Sequence, residues 1–146
     1  MTFRAGPTYS SVVSNANMWS PNSGPGSEAA VVEAFSAWLV EQGWECEDLP
    51  RYGNYPDIDA RHSDGRRLVV EAKGFTRDSG TDLDTGYGQL LRRMKGEPDT
   101  TYALVVAKSI VGFAQRVPSE VRGRLGIALY AVGSGGEVEL VDGVPL

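Results

Sequence analysis

The chain has 146 residues, of which 41% are hydrophobic and 23% are charged, and its formal net charge at pH 7 is −5. These proportions are typical of a soluble globular protein, whereas the net charge has the wrong sign for a generic nucleic-acid binder. No segment is apolar for long enough to cross a bilayer or to act as a secretion signal, and the single cysteine, Cys46, excludes an internal disulfide. We therefore expect a cytoplasmic protein with no membrane contact.

Residues 1–26 are rich in Ser, Asn, Pro and Gly and show no sustained periodicity, which predicts a flexible N-terminal tail. A single domain over residues 27–146 follows. Its first helix should begin after Ser27, a good N-cap, and end at Gly43, where a left-handed C-cap is favourable. Within that helix, Glu33 falls at the edge of the apolar stripe, neither fully inside nor fully outside.

The remaining elements follow from apolar runs separated by turn-forming residues. Strands are predicted over 44–49, 57–62, 66–73, 101–107, 127–132 and 138–141, and helices over 85–95 and within 117–125. The polar segment 76–84 is predicted to be a loop and is a candidate substrate loop. In the helix after it, Leu90, Leu91 and Met94 should face the core. A hairpin followed by a β-α-β unit implies an α/β fold with a mixed sheet and helices on both sides.

The hairpin over 57–73 carries the most informative residues of the chain. Asp57 lies on its first strand, and Glu71 and Lys73 lie on one face of its second strand. Two carboxylates and an ammonium that converge on one face of a sheet form a site for a hard divalent cation and a phosphodiester.

Whether the two carboxylates share a face depends on the turn between the strands. A two-residue turn at 64–65 would direct Asp57 and Glu71 to opposite sides of the sheet, and there would be no site. A three-residue turn at 63–65, with Gly65 left-handed, places Asp57 directly across from Glu71, with the β-carbons roughly 5 Å apart. Carboxylates that close repel each other strongly unless a cation lies between them.

The residues Pro56-Asp57, a short hairpin and Glu71-Ala72-Lys73 together resemble the signature of the PD-(D/E)XK nuclease superfamily, which includes restriction endonucleases and archaeal Holliday junction resolvases. The order of predicted elements from residue 27 to about residue 132 matches the αβββαβ core of that superfamily. The resemblance implies a restriction-endonuclease-like fold and a Mg²⁺-dependent endonuclease that hydrolyses DNA, with Mn²⁺ as a substitute for Mg²⁺.

The resemblance also implies a role for each residue of the signature. Asp57 and Glu71 would hold the metal, and the Ala72 carbonyl would complete the ligand set. Lys73 would orient the attacking water or stabilise the charge that develops on the phosphoryl oxygens. Gln89 matches a polar residue that several members carry on the helix after the ExK strand, and it would hydrogen-bond the water or a phosphate.

Two assignments of acidic residues stay open. Many members of the superfamily carry a glutamate on the first helix, and Glu33 is the best-placed equivalent, reaching the metal through water or binding a second ion. Glu28 is the alternative, although its position in the first turn is also explained by the helix dipole. Asp59 shares a face with Asp57 and is an alternative ligand, but the residue that follows Pro56 is favoured.

Arg92, Arg93 and Lys95 form a basic cluster at the end of the same helix, where they would contact the phosphates of DNA. The chain has no room for a separate recognition domain, so specificity should come from loops, from a homodimer or from a larger nuclease complex. Two alternatives remain: a resolvase-like dimer that cleaves branched DNA, and a non-catalytic DNA-binding subunit with a nuclease-like fold.

Overall fold

A six-stranded mixed sheet is the centre of the protein in the computed structural model, which describes residues 24–146. Its strands lie in space in the order of the chain: β1 (Trp44–Cys46), β2 (Ile58–His62), β3 (Arg67–Lys73), β4 (Thr100–Ala107), β5 (Ile127–Val132) and β6 (Val138–Asp142). The helices are α1 (Glu28–Glu41), α2 (Ser79–Arg93), α3 (Val111–Ala114) and α4 (Ser119–Leu125), with a 3₁₀ turn at Lys108–Ile110. None of these described helices is both long enough and apolar enough to cross a membrane.

The two long helices cover opposite faces of the sheet, whose central strands β3, β4 and β5 are parallel. On one face, Phe35 and Trp38 of α1 pack against Tyr130 of β5, with ring centroids 5.2 and 5.5 Å from that of the tyrosine. On the other face, α2 lies so close to the sheet that a Cβ at Gly86 would be 3.2 Å from Cδ1 of Leu104. The predicted fold class, an α/β fold with a mixed central sheet flanked by helices on both sides, is confirmed.

Helix α1 begins and ends close to the predicted residues. The side chain of Ser27 accepts a hydrogen bond from Ala30 N at 3.1 Å, which confirms it as the N-cap. The helix ends at Glu41, and Gly43 follows with a φ of +89°. The capping residues alone were therefore sufficient to locate both ends of this helix.

The start of α1 is held against the end of β3. A Cβ at Gly74 would lie 2.1 Å from the backbone nitrogen of Glu28, so only glycine fits between the two segments. The next residue, Phe75, donates its N–H to the Gly26 carbonyl at 2.7 Å. Residues 1–23 of the predicted tail lie outside the described residues, and the prediction of a tail is not tested there.

The predicted loop over 76–84 is wrong, because α2 already begins at Ser79. Asp78 caps the helix by accepting a hydrogen bond from Thr81 N at 3.4 Å, and Leu83 is fully buried. The segment contains few strong helix formers, so its composition favours a loop, but the cap and the burial of Leu83 outweigh that preference. The substrate loop expected at these residues is correspondingly replaced by the first turns of a helix.

Three smaller predictions also need correction. Leu91 is 43% exposed and does not face the core, because it lies about 100° around the helix from the fully buried Leu90. Strand β1 ends at Cys46 and does not extend to residue 49. The helical segment over 108–114 was not predicted, since its sequence has no clear periodicity over so short a length.

Candidate functional site

The hairpin formed by β2 and β3 has the three-residue turn on which the predicted site depends. Gly65 adopts a φ of +96° and donates its N–H to the His62 carbonyl at 3.0 Å. His62 in turn donates its N–H to the Arg66 carbonyl at 2.9 Å. This pairing sets the register of the whole ladder.

The register places Asp57 across from Glu71. The last regular pair at this end of the ladder is Ile58 with Val70. Asp57 precedes Ile58 and Glu71 follows Val70, and the two carboxyl groups are close enough to share a hydrogen bond. Asp57 N donates to the Val70 carbonyl at 3.1 Å, and its side-chain Oδ2 accepts a hydrogen bond from Ala72 N at 2.7 Å. The predicted three-residue turn and the register as far as Ile58 and Val70 are therefore confirmed, and the side chains of Asp57 and Glu71 lie beside each other.

The Glu71 carboxyl group is buried, with a relative exposure of 2% for the residue. Burial raises its pKa from 4.5 to about 7, the Arg93 guanidinium opposes this rise, and the neighbouring Asp57 adds to it. Arg93 Nε lies 2.5 Å from Glu71 Oε1. A carboxyl group with these neighbours changes its charge state in response to any further cation near it.

Lys73 ends β3 with its side chain only 14% exposed. Its Nζ lies 3.8 Å from Oε1 of Glu28, at the start of α1. Its methylene groups pass close to α2, because a Cβ at Gly86 would be 3.3 Å from Lys73 Cε. The absence of a side chain at Gly86 thus leaves room for Lys73 between the helix and the sheet.

A cavity of about 690 Å³, which we call the lysine cavity, opens beside Lys73. Its acidic lining residues are Glu28, Glu33, Asp57 and Asp82. The pKa of Glu28 is raised, mainly by burial and then by the charge of Asp57. Glu33 also lines this cavity, and both glutamates are exposed. Of the two glutamates that the sequence left open, Glu28 is the one next to Lys73.

Asp82 and Thr76 are residues of this cavity that sequence reasoning missed. The hydroxyl group of Thr76 donates a hydrogen bond to the Asp82 carboxylate. Both residues belong to the segment that was predicted to be a loop, where no side-chain direction could be inferred. The Asp78 cap, followed by Asp82 one turn later, is the signal that could have placed Asp82 on a helix beside the hairpin.

A second cavity of about 620 Å³, the arginine cavity, lies against the last turns of α2. Its lining includes Gln89, Arg92, Arg93 and Lys95, together with the acidic residues Glu47, Asp48, Asp59 and Glu97. The Gln89 side chain has its Oε1 atom buried without a hydrogen-bond partner among the described residues. Arg92 and Lys95 are exposed, whereas Arg93 is bonded to Glu71. The four predicted residues are therefore together, but Arg93 is directed inward and not toward solvent.

Asp59, the alternative ligand, has other partners. Both of its carboxylate oxygens accept hydrogen bonds from Arg67, at 3.0 and 2.8 Å. The same guanidinium group contacts Glu97 at 2.7 Å. This bidentate ion pair gives Asp59 a structural function that requires no metal.

Among residues 24–146, no three His, Cys, Asp or Glu side chains form a group that could hold a metal ion by themselves. The donors that do meet are the carboxylates of Asp57 and Glu71, and the Ala72 carbonyl is a further oxygen atom of the same strand. Oxygen donors of this kind suit Mg²⁺ and Mn²⁺, and Mg²⁺ commonly keeps several water ligands. The residues present therefore fit a divalent cation that is bound by two carboxylates and water.

No protein-family model and no curated protein matches this chain. Among solved structures, it is similar to an XisH family protein from Nostoc punctiforme, with a TM-score of 0.54 and 18% identity over 75% of this chain and 96% of that one. It is also similar to an fdxN element excision controlling factor protein from Anabaena variabilis, with a TM-score of 0.56 and 21% identity over 76% of this chain and 96% of that one. The shared feature is the fold. At these identities the likeness does not extend to activity.

Proposed function

We propose that this protein is a metal-dependent nuclease that hydrolyses phosphodiester bonds in DNA. The observation that carries the proposal is the position of Asp57 across from Glu71, with Lys73 next on the same strand face. Neighbouring carboxylates with an amine beside them have a chemical use in phosphodiester hydrolysis. The resemblance of these residues to the PD-(D/E)XK signature adds to the proposal.

Asp57 and Glu71 would hold Mg²⁺, or Mn²⁺ in its place, together with the Ala72 carbonyl. When bound there, the cation would polarise the scissile phosphate and acidify a water molecule. Glu28 and Glu33 are candidates for a contact through water. A cation at Glu71 would compete with the Arg93 guanidinium for the same carboxylate oxygen.

The side chains of the protein supply the remaining functions. The Lys73 amine would hold the attacking water or donate to the phosphoryl oxygens, and its ion pair with Glu28 keeps it at the edge of the cavity. The buried Oε1 atom of Gln89 can accept a hydrogen bond from a water molecule or from substrate. Arg92 and Lys95 are the residues best placed to bind neighbouring phosphates.

DNA is the preferred substrate in this proposal for two reasons. The resemblance is to DNA nucleases, and one structural neighbour is named an excision controlling factor of the fdxN element, which gives loose support. Cleavage of branched DNA by a resolvase-like dimer is one form of the same proposal.

A second candidate function is a non-catalytic DNA-binding subunit. The close contact between Arg93 and Glu71 favours it, because the guanidinium group already occupies Oε1 of Glu71 and would weaken metal binding there. A metal titration separates this candidate from the nuclease.

The proposal is tested by incubating the purified protein with duplex, single-stranded and branched DNA in the presence of Mg²⁺ or Mn²⁺. The chain has three lysines, Lys73, Lys95 and Lys108, which provide a matched control. Lys73→Ala should lower the cleavage rate at least about a hundredfold. Lys108→Ala should leave the rate unchanged, because that side chain is 62% exposed and pairs with Glu139. Cleavage that survives Lys73→Ala undiminished would contradict the proposal.

A further inference from the structure

Three exposed aromatic side chains lie near the hairpin in sequence without forming part of the core. Tyr52, Tyr55 and Phe75 are 82, 47 and 59% exposed, and they are the aromatic members of the large exposed hydrophobic side chains in residues 24–146. Tyr55 lies two residues before Asp57, and Phe75 lies two residues after Lys73. Two of these rings, Tyr55 and Phe75, line cavities of the candidate site, where they can contact a ligand.

The rings border both cavities of the site. Tyr55 lines the arginine cavity together with Gln89. Phe75 lines the lysine cavity together with Glu28 and Lys73. A ligand that spans the hairpin from one cavity to the other would therefore meet an aromatic ring on each side of the acidic pair.

The segments that carry the rings are attached to the rest of the site. The Asn54 carbonyl accepts a hydrogen bond from Arg93 Nη1 at 3.5 Å. The Tyr55 ring lies over Gly53, where a Cβ would be 2.7 Å from Tyr55 Cε2. The backbone N–H of Phe75 is bonded to the start of α1. The rings are thus held near the site before any ligand arrives, which lowers the entropic cost of binding.

Arginine residues accompany the rings. The Arg51 guanidinium carbon lies 5.8 Å from the centroid of Tyr52. Arg77 follows Phe75 by two residues, and Arg92 lines the arginine cavity. All three arginines are exposed. Exposed aromatic rings interleaved with arginines are typical of surfaces that stack unpaired bases and hold the phosphate backbone.

We propose that Tyr55 and Phe75 form a base-stacking surface, and that the site binds single-stranded or unpaired nucleic acid in preference to continuous duplex. The faces of the bases in a duplex are covered by their neighbours, so only unpaired bases can stack on protein rings. The inference rests on the proposed nuclease function in that it takes the ligand to be nucleic acid. It adds that this nucleic acid is single-stranded or unpaired.

The test measures binding and does not depend on cleavage. Fluorescence anisotropy is recorded for a labelled single-stranded 20-mer and for the duplex of the same sequence, once in EDTA and once with Ca²⁺. Tyr55→Ala and Phe75→Ala remove a ring, whereas Tyr55→Phe keeps one. Val144→Ala, at a 78% exposed aliphatic residue after β6, is the matched control. These variants leave the net charge unchanged, so a loss of affinity cannot come from electrostatics.

We expect the single strand to bind at least about tenfold more tightly than the duplex, and each ring-to-alanine variant to weaken its binding about tenfold. Tyr55→Phe and Val144→Ala should stay within about twofold of the unmodified protein. Equal or tighter binding of the duplex, or ring variants that behave like Val144→Ala, would overturn the inference. If Lys73→Ala abolishes cleavage but the ring variants bind normally, the inference is refuted and the nuclease function stands. If binding depends on the rings but no cleavage is seen, the inference stands and the nuclease function is refuted.

Discussion

The guanidinium group of Arg93 donates to the Glu71 carboxylate across 2.5 Å and joins the last turn of α2 to β3. The contact brings a positive charge to a carboxyl group that is buried next to a second carboxyl group. The same arginine also holds the Asn54 carbonyl, on the loop that carries Tyr52 and Tyr55. Both the stability of the fold and the chemistry of the site depend on this pair.

Removal of the arginine should destabilise the protein in a pH-dependent way. Arg93→Ala leaves Glu71 buried without its cation, which should lower the free energy of unfolding by about 3 kcal/mol at pH 8. The loss should be smaller at pH 5, because a protonated Glu71 carries no charge. Urea denaturation followed by circular dichroism measures both values. Arg61→Ala, which removes the exposed pair with Glu47, should cost less than about 0.5 kcal/mol at either pH. Equal losses for the two variants would be inconsistent with a buried pair.

The raised pKa of Glu71 predicts that the protein becomes less stable as the pH rises. Between its ordinary value of 4.5 and its value of about 7 in the folded protein, the native state binds more protons than the unfolded chain. The free energy of unfolding should therefore decrease through this window, by about 3 kcal/mol in total, and become flat above it. Glu71→Gln cannot titrate and should remove most of the slope. If the free energy of unfolding of Glu71→Gln depends on pH as steeply as that of the unmodified protein, titratable groups other than Glu71 cause the pH dependence.

The contact between Gly74 and the start of α1 predicts a second stability effect. Gly74→Ala would place a Cβ 2.1 Å from the Glu28 nitrogen, so the helix and the end of β3 must move apart. We expect a loss of about 2 kcal/mol or more in the free energy of unfolding. Gly123→Ala in α4, where a Cβ would meet nothing within 4 Å, should be neutral or stabilising by up to about 1 kcal/mol. Thermal unfolding of the two variants side by side gives the comparison, and similar melting temperatures would argue against the close approach.

The two glutamates of α1 should differ in their effect on metal binding. Both glutamates are exposed and line the same cavity, but Glu28 forms an ion pair with Lys73 and its pKa is raised in part by the charge of Asp57. Glu28→Gln should therefore weaken Mn²⁺ binding about tenfold, as loss of an outer-shell carboxylate commonly does. Glu33→Gln should change it less than about threefold. A larger loss of Mn²⁺ affinity in Glu33→Gln than in Glu28→Gln would instead make Glu33 the glutamate of α1 that supports metal binding, as its place at the edge of the apolar stripe suggested.

The hairpin could be predicted from sequence because few residues determine it. Asp64-Gly65 restricts the turn to two lengths, and only the longer one brings Asp57 across from Glu71. The ends of α1 followed from Ser27 and Gly43 for a similar reason, since capping preferences act locally. Strand alternation then fixed the face that Lys73 shares with Glu71.

The environment of the site could not be predicted in the same way. Whether Arg93 contacts a phosphate or Glu71 depends on how far α2 lies from β3, which is set by the close packing at Gly86. The role of Glu28 depends on Gly74, whose missing side chain lets the start of α1 approach Lys73. These are contacts between residues far apart in sequence, and local patterns carry no information about them.

A titration with Mn²⁺ tests the central claim most directly, because it asks whether Asp57 and Glu71 hold a metal. Isothermal titration calorimetry at pH 7.5 should detect binding to the unmodified protein and to Asp59→Asn, whose carboxylate is occupied by Arg67. Asp57→Asn and Glu71→Gln should each abolish that binding. Equal Mn²⁺ affinity in Asp57→Asn and in the unmodified protein would contradict the account.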